Sequence, residues 1–157
     1  MYTQIAIQLK TLRKSQKLTQ KEFAQLIETT TRSLGRYEAG THRITLYALH
    51  KTNQSFQTDW STWLDSENES TSVNYTFPSH LTQQSDDEKS FYQLLGKRIA
   101  YLRKLRGLSQ RELSKQLDLS DRALAYYERG IRRIHIEDVI KLALALQVTA
   151  HELLFDL

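Results

Sequence analysis

A shift of ninety residues lays this chain on itself. Leu12 to Gly40 aligns without a gap on Leu102 to Gly130, and eleven of the 29 pairs are identical: Leu12, Arg13, Lys14, Leu18, Gln20, Glu22, Arg32, Leu34, Tyr37, Glu38 and Gly40, each with its partner ninety later. Such self-similarity means one supersecondary unit present twice, so whatever the unit folds into, the chain folds into two of them. The organisation expected is a first domain over 1–64, a linker over 65–90 and a second domain over 91–157.

Apolar spacing makes the unit helical. Ile5, Leu9 and Leu12 answer Leu95, Ile99 and Leu102 at steps of four and three, one face of a first helix. Phe23 with Ile27, and Leu113 with Leu117, mark a second helix; Leu34 with Tyr37, and Leu124 with Tyr127, mark a third. Thr19 precedes Glu22 by three, as Ser109 precedes Glu112, which is the spacing of a capping box and starts the second helix there. Thr30 and Ser120 cap the third helix, and Gly40 and Gly130 suit the left-handed residue that ends it. Between the second and third helices the turn needs positive φ, at Glu28 and at Asp118. Ala24 and Ser114 are small where the third helix must come close. Two short helices joined by a tight turn and propped by a preceding helix make a helix-turn-helix.

Charge is distributed in a way that the net value of +4 conceals. Residues 1–64 carry nine Lys and Arg against four acids, residues 65–90 one against six, and residues 91–157 twelve against eight. Two basic lobes flanking an acidic connector are the footprint of lobes that each meet a polyanion. There is no cysteine, so each small core relies on apolar packing, and neither disulfides nor thiolate metal sites are available. The chain start lacks the pattern of a signal peptide and no apolar run reaches bilayer length, so the expected location is cytoplasmic and no membrane is expected as a partner.

Both copies resemble the helix-turn-helix domains of the Cro and phage-repressor type. The resemblance is carried by "YLRK…LSQREL…AYYERG" in the second copy and "TLRK…LTQKEF…GRYEAG" in the first, and covers nearly everything outside the connector. "HIEDVIKLALALQVTAHELL" matches the fourth and fifth helices. The first copy departs at Glu28 and Thr29, where the family has Gly and an apolar residue, and at His50 and Asn53, which stand where the second copy has Ile140 and Ala143. The resemblance implies an all-α fold of two lambda-repressor-like domains of about five helices each. It also implies sequence-specific binding of double-stranded DNA and transcriptional regulation by repression, in a bacterium, phage or mobile element.

In such domains the third helix enters the major groove and the second meets a phosphate. Carried over by position, the base-facing candidates are Thr31, Arg32 and Arg36 in the first copy and Asp121, Arg122 and Tyr126 in the second. Arg32 and Arg122 are suited to the O6 and N7 acceptors of a guanine. Asp121 has three readings: acceptor from a cytosine amino group, orienter of Arg122, or a charge favoured at a helix N-terminus. Gln20 with Lys21, Gln110 with Arg111, and Arg43, Arg132 and Arg133 in the loops after the third helices are the phosphate candidates. Arg13 with Glu38, and Arg103 with Glu128, are each 25 apart, and the resemblance implies a partly buried ion pair between helices one and three. Tyr37 and Tyr127 fall on the buried face.

Other readings compete. Val73, Tyr75 and Phe77 alternate with polar residues, as a half-buried strand does and as a loop does by chance. Leu142 and Leu144 lie off the 139, 140, 143, 146 stripe, and together with "ELLFDL" they raise a homodimer surface at the C-terminal helices. An antitoxin or adaptor that masks a protein partner while binding its own promoter is the rival from another class. An enzyme is not expected: five scattered histidines, "HELLF" without a second histidine and no glycine-rich phosphate loop leave no metal or cofactor motif.

Overall fold

The computed structural model describes residues 2–64, 76–82, 87–155 and 157. The helices are α1 (Tyr2–Ser15), α2 (Gln20–Leu26), α3 (Thr31–Glu38), α4 (Leu46–Phe56), α5 (Glu88–Leu105), α6 (Gln110–Gln116), α7 (Asp121–Glu128), α8 (Ile136–Ala145) and α9 (Ala150–Leu154), and the described residues contain no strand. They form two compact units, Met1–Trp63 and Leu64–Leu157. The architecture is all-α, with one helix-turn-helix in each unit.

Side-chain caps decide where these helices begin. Thr19, Ser109 and Thr149 each close a capping box with a glutamate three residues on, and Asp87 closes one with Ser90. Thr30, Thr45 and Ser120 accept from the backbone N–H three residues later. The ends are as periodic as the starts, because the left-handed residues repeat at ninety: Lys17 and Gly107, Glu28 and Asp118, Gly40 and Gly130, Gln57 and Gln147. Each follows the last turn of a helix. Thr41 N–H donates to Arg36 C=O and Ile131 N–H to Tyr126 C=O, both at 3.0 Å, which closes the same Schellman turn after each third helix.

The core of the first unit is Ile5, Leu9, Phe23, Ile27, Leu34, Leu46, Leu49, Trp60 and Trp63; that of the second is Leu95, Ile99, Leu102, Leu113, Leu117, Leu124, Val139, Leu146 and Leu153. Ala24 and Ser114 are buried at the crossing of the second and third helices, where larger side chains would hold the helices apart. The crossing of the first helix over the third differs between units. A Cβ on Gly96 would lie 2.4 Å from Tyr127 C=O, and one on Gly130 would lie 2.5 Å from Gln93 Cα, so α5 and the end of α7 meet backbone to backbone. Ala6 holds the place of Gly96 in the first unit.

The fourth helix of the first unit tolerates its polar residues for identifiable reasons. Asn53 Oδ1 accepts from Trp63 Nε1 at 2.7 Å and from Thr58 Oγ1 at 2.8 Å, which ties α4 to the segment after it. His50 is buried, 6.1 Å from the Tyr47 ring. Where the second unit has α9, the first has only a 3₁₀ turn, Trp60–Thr62, capped by Asp59. Leu142 does not lie on a surface: it is fully buried, as are Leu153, Leu154 and Leu157, because α8 packs on α9 along that side. Of the residues considered for a homodimer surface, Leu144 and Phe155 are exposed. Phe77 is buried in the second unit outside any strand; Val73 and Tyr75 lie outside the described residues.

Candidate nucleic-acid interface

The N-terminal turn of each third helix is held open to solvent by what happens at its other end. Arg13 on α1 donates through Nε to Glu38 Oε1 at 2.6 Å and through Nη2 to Glu38 Oε2 at 3.0 Å, while its Nη1 donates to Leu18 C=O at 2.9 Å. Arg103 repeats this with Glu128 at 2.5 and 3.0 Å and with Leu108 C=O at 2.8 Å. Gln20 Nε2 adds a bond to Glu38 Oε2 at 2.9 Å, and Gln110 Nε2 one to Glu128 Oε2 at 2.8 Å. A single carboxylate therefore gathers the first, second and third helices of each unit. Its burial requires these partners, since an unpaired buried charge is strongly unfavourable. Burial pushes the Glu38 carboxyl up, but the hydrogen bonds from Arg13 and Gln20 and the nearby positive charges hold it below the usual carboxylate range. Hydrogen bonding to the glutamates raises Arg13 and Arg103 further above their ordinary value.

Gln20 and Gln110, the phosphate candidates at the starts of α2 and α6, each direct one amide N–H to the glutamate, Gln20 remaining exposed and Gln110 half-buried. The repeated separation of 18 between each glutamine and its glutamate is a signal for this that pattern reading passed over. Lys21 and Arg111 beside them are exposed.

Thr31, Arg32 and Arg36 are all exposed on α3, and Leu34 and Glu38 on the opposite face are buried. Arg36 Nη1 lies 3.4 Å from His42 Nε2, and the Arg43 guanidinium sits 4.8 Å over the Tyr2 ring. Gly35, between the two exposed arginines, has helical backbone, and a Cβ there would find only Gln20 Nε2, at 4.0 Å.

On α7 the exposed leading residues are prearranged. Arg122 Nε donates to Tyr126 Oη at 2.8 Å with the guanidinium 5.3 Å from that ring, an arrangement that leaves both terminal nitrogens to form the fork a guanine edge accepts. Ser114 Oγ donates to Asp121 Oδ1, so the carboxylate at the helix start is anchored from α6. Tyr127 is core: burial, then its hydrogen bond to Asp138 Oδ2 at 2.9 Å, pushes its hydroxyl up to about 12. Tyr37 is half-buried. Of the loop cations, Arg132 lies 5.9 Å over the Tyr127 ring, and Arg133 pairs with Glu88 at 2.8 Å in an exposed ion pair worth little to stability.

Among the described residues no group of three or more His, Cys, Asp or Glu is placed to hold a metal ion, and no helix is long and apolar enough to cross a membrane.

A family model described as helix-turn-helix matches residues 9–51 and 99–153. Comparison with curated proteins gives no match. Among solved structures, the chain is similar to the restriction-modification controller protein C.AhdI from Aeromonas hydrophila, with 33% identity over 40% of this chain and 94% of that one and a TM-score of 0.38. It is also similar to a hypothetical transcription factor, NHTF, from Neisseria, with 31% identity over 48% of this chain and 88% of that one and a TM-score of 0.41.

Proposed function

Since the chain belongs to the helix-turn-helix family, with two matched domains, we propose that it binds double-stranded DNA sequence-specifically through both units and regulates transcription, by repression. The observation that carries this reading is the same in each unit: the leading side chains of the third helix are exposed while its far end is fastened to α1 and α2, or to α5 and α6, through Glu38 or Glu128. A helix held in that way presents its first turn to a major groove without having to order itself on binding. Repression follows from occupancy, because a lobe seated over a promoter excludes other proteins from that face.

The roles divide between bases and backbone. Arg32 and Arg122 read guanines, each worth roughly 1–3 kcal/mol of discrimination, with Thr31, Arg36, Asp121 and Tyr126 adjoining them. Lys21, Arg43, Arg111, Arg132 and Arg133 meet phosphates and set register. Because the two sets of reading residues differ, one chain bound through both lobes prefers an asymmetric site.

Salt dependence of duplex binding tests the backbone part. If Lys21, Arg43, Arg111, Arg132 and Arg133 each neutralise one phosphate, the logarithm of affinity falls against the logarithm of salt with a slope of about −4.5. A slope near zero contradicts DNA binding by these surfaces.

A further inference from the structure

Residues 76–82 lie in the connector by sequence, yet they are built into the second unit. Phe77 and Leu81 are buried, and the side chain they enclose with α5 and the end of α9 is Arg98, which has no exposed surface at all. Arg98 Nε donates to Leu81 C=O at 2.6 Å; its Nη1 donates to Leu153 C=O at 3.1 Å and to Phe155 C=O. The guanidinium is 4.6 Å from the centre of the Phe77 ring, which in turn lies 6.3 Å from Tyr101. Pro78 opens the 3₁₀ turn Ser79–Leu81, closed by Leu81 N–H donating to Pro78 C=O at 2.8 Å. A buried cation must keep its acceptors, so this strap is held on the unit by more than apolar contact.

We infer that the docked strap fixes the length of the tether between the lobes, and with it the spacing of half-sites that one chain can span; this rests on the two-lobe reading above. Thirteen peptide links join Trp63, the last residue of the first unit, to Thr76, a contour of at most about 45 Å. With the strap released, the anchor moves to Asp87, 24 links from Trp63, and the contour becomes about 80 Å. Half-sites one helical turn apart are separated by about 34 Å and those two turns apart by about 68 Å. The short tether covers the first with slack. The second exceeds its whole contour, so the lobes' own widths would have to supply the remainder with the tether pulled straight, a state of very low effective concentration. Arg98, Phe77 and Leu81 are thus spacing determinants that touch no DNA.

The test uses the full chain on duplexes that carry both half-sites one or two turns apart, the half-sites being assigned by the base pairs at which Arg32→Ala and Arg122→Ala lose preference. The parent chain should bind the one-turn duplex at least about tenfold more tightly than a single half-site, and the two-turn duplex no better than a single half-site. A Phe77→Ser/Leu81→Ser chain, and a chain with twelve Gly/Ser residues inserted after Ser70, should both gain on the two-turn duplex. Parent binding that is equal at the two spacings overturns the inference, as does an insertion chain that gains while a folded strap variant does not. If even the insertion chain gains nothing from a second half-site at either spacing, the two-lobe reading fails instead. Amide exchange in the parent chain needs no variant: protection at Leu81 supports a docked strap, and exchange there at the rate of an open chain overturns it.

Discussion

Replacing Glu128 by alanine removes the one acceptor shared by three helices of the second unit. In the intact protein its side chain is 5% exposed and accepts from Arg103 Nε, Arg103 Nη2 and Gln110 Nε2. After truncation Arg103, itself buried, keeps only the Leu108 carbonyl, and the Gln110 amide loses its acceptor. Stranding one partner of a buried pair costs about 3–5 kcal/mol. Domains of this size hold roughly 0.05–0.15 kcal/mol per residue, so the loss is a large part of the unit's stability. At about 4–8 °C per kcal/mol, the melting point of the second unit should fall by at least about 12 °C. The assay can separate the units, because both tryptophans, Trp60 and Trp63, lie in the first: their emission follows that unit, while far-ultraviolet circular dichroism follows all the helices. Glu128→Ala should shift a phase of the dichroism and leave the tryptophan midpoint in place. An Arg103→Met/Glu128→Leu chain should recover most of the loss, since an apolar pair leaves no charge stranded. A single variant that melts within 2 °C of the parent, about half a kcal/mol or less, would show that Glu128 does not hold these helices together.

Two further perturbations act on the first unit. Burial, aided by the charge of Lys51 and opposed by Glu28, lowers His50 from 6.5 to about 4. The unfolded chain therefore takes up this proton first, so the unit's stability is intact above pH 6.5 and declines as pH falls toward 4, by up to about 3 kcal/mol. Tryptophan-detected melting at pH 7 and pH 4.5 should show the decline in the parent, and His50→Ile, the residue type at the matching place in the second unit, should flatten it; an equal decline in both excludes His50 as its source. Gly35→Ala adds a Cβ to helical backbone with no neighbour nearer than 4.0 Å, so it should stabilise α3 by about 0.5–1 kcal/mol and raise the tryptophan midpoint; a lower midpoint would contradict the described backbone.

What could be read from sequence was whatever a local rule dictates. Hydroxyls three residues before a glutamate fix the starts of α2 and α6, and glycines fix the ends of α3 and α7, because these bonds form within one turn of chain. The exposure of Arg32 and Arg122 was legible for the same reason, being set by the phase of Leu34 and Leu124 on their helices. Features that depend on what a neighbouring element supplies were not. Leu142 looks peripheral on its own helix, yet α9 covers it. The short fifth element of the first unit follows from Thr58 and Trp63 converging on Asn53, a side chain that reads as a misfit until its partners are placed. Sequence position makes Tyr126 a candidate reader of bases, while its bond to Arg122 also makes it a positioning residue, visible only once the rotamers are fixed. Arg98 sits within an apolar stripe of α5, where a lone arginine reads as an interruption until the carbonyls of Leu81 and Leu153 are seen around it.

In the proposed function, exposed leading side chains of two propped helices read base pairs. Selection from random duplex DNA, run with the full chain and with its Arg32→Ala and Arg122→Ala variants, tests it most directly. Base reading by both helices gives an asymmetric enriched site in which each variant loses preference at its own base pair and keeps the rest. An enriched site that neither variant alters, or no enrichment at all, would contradict it.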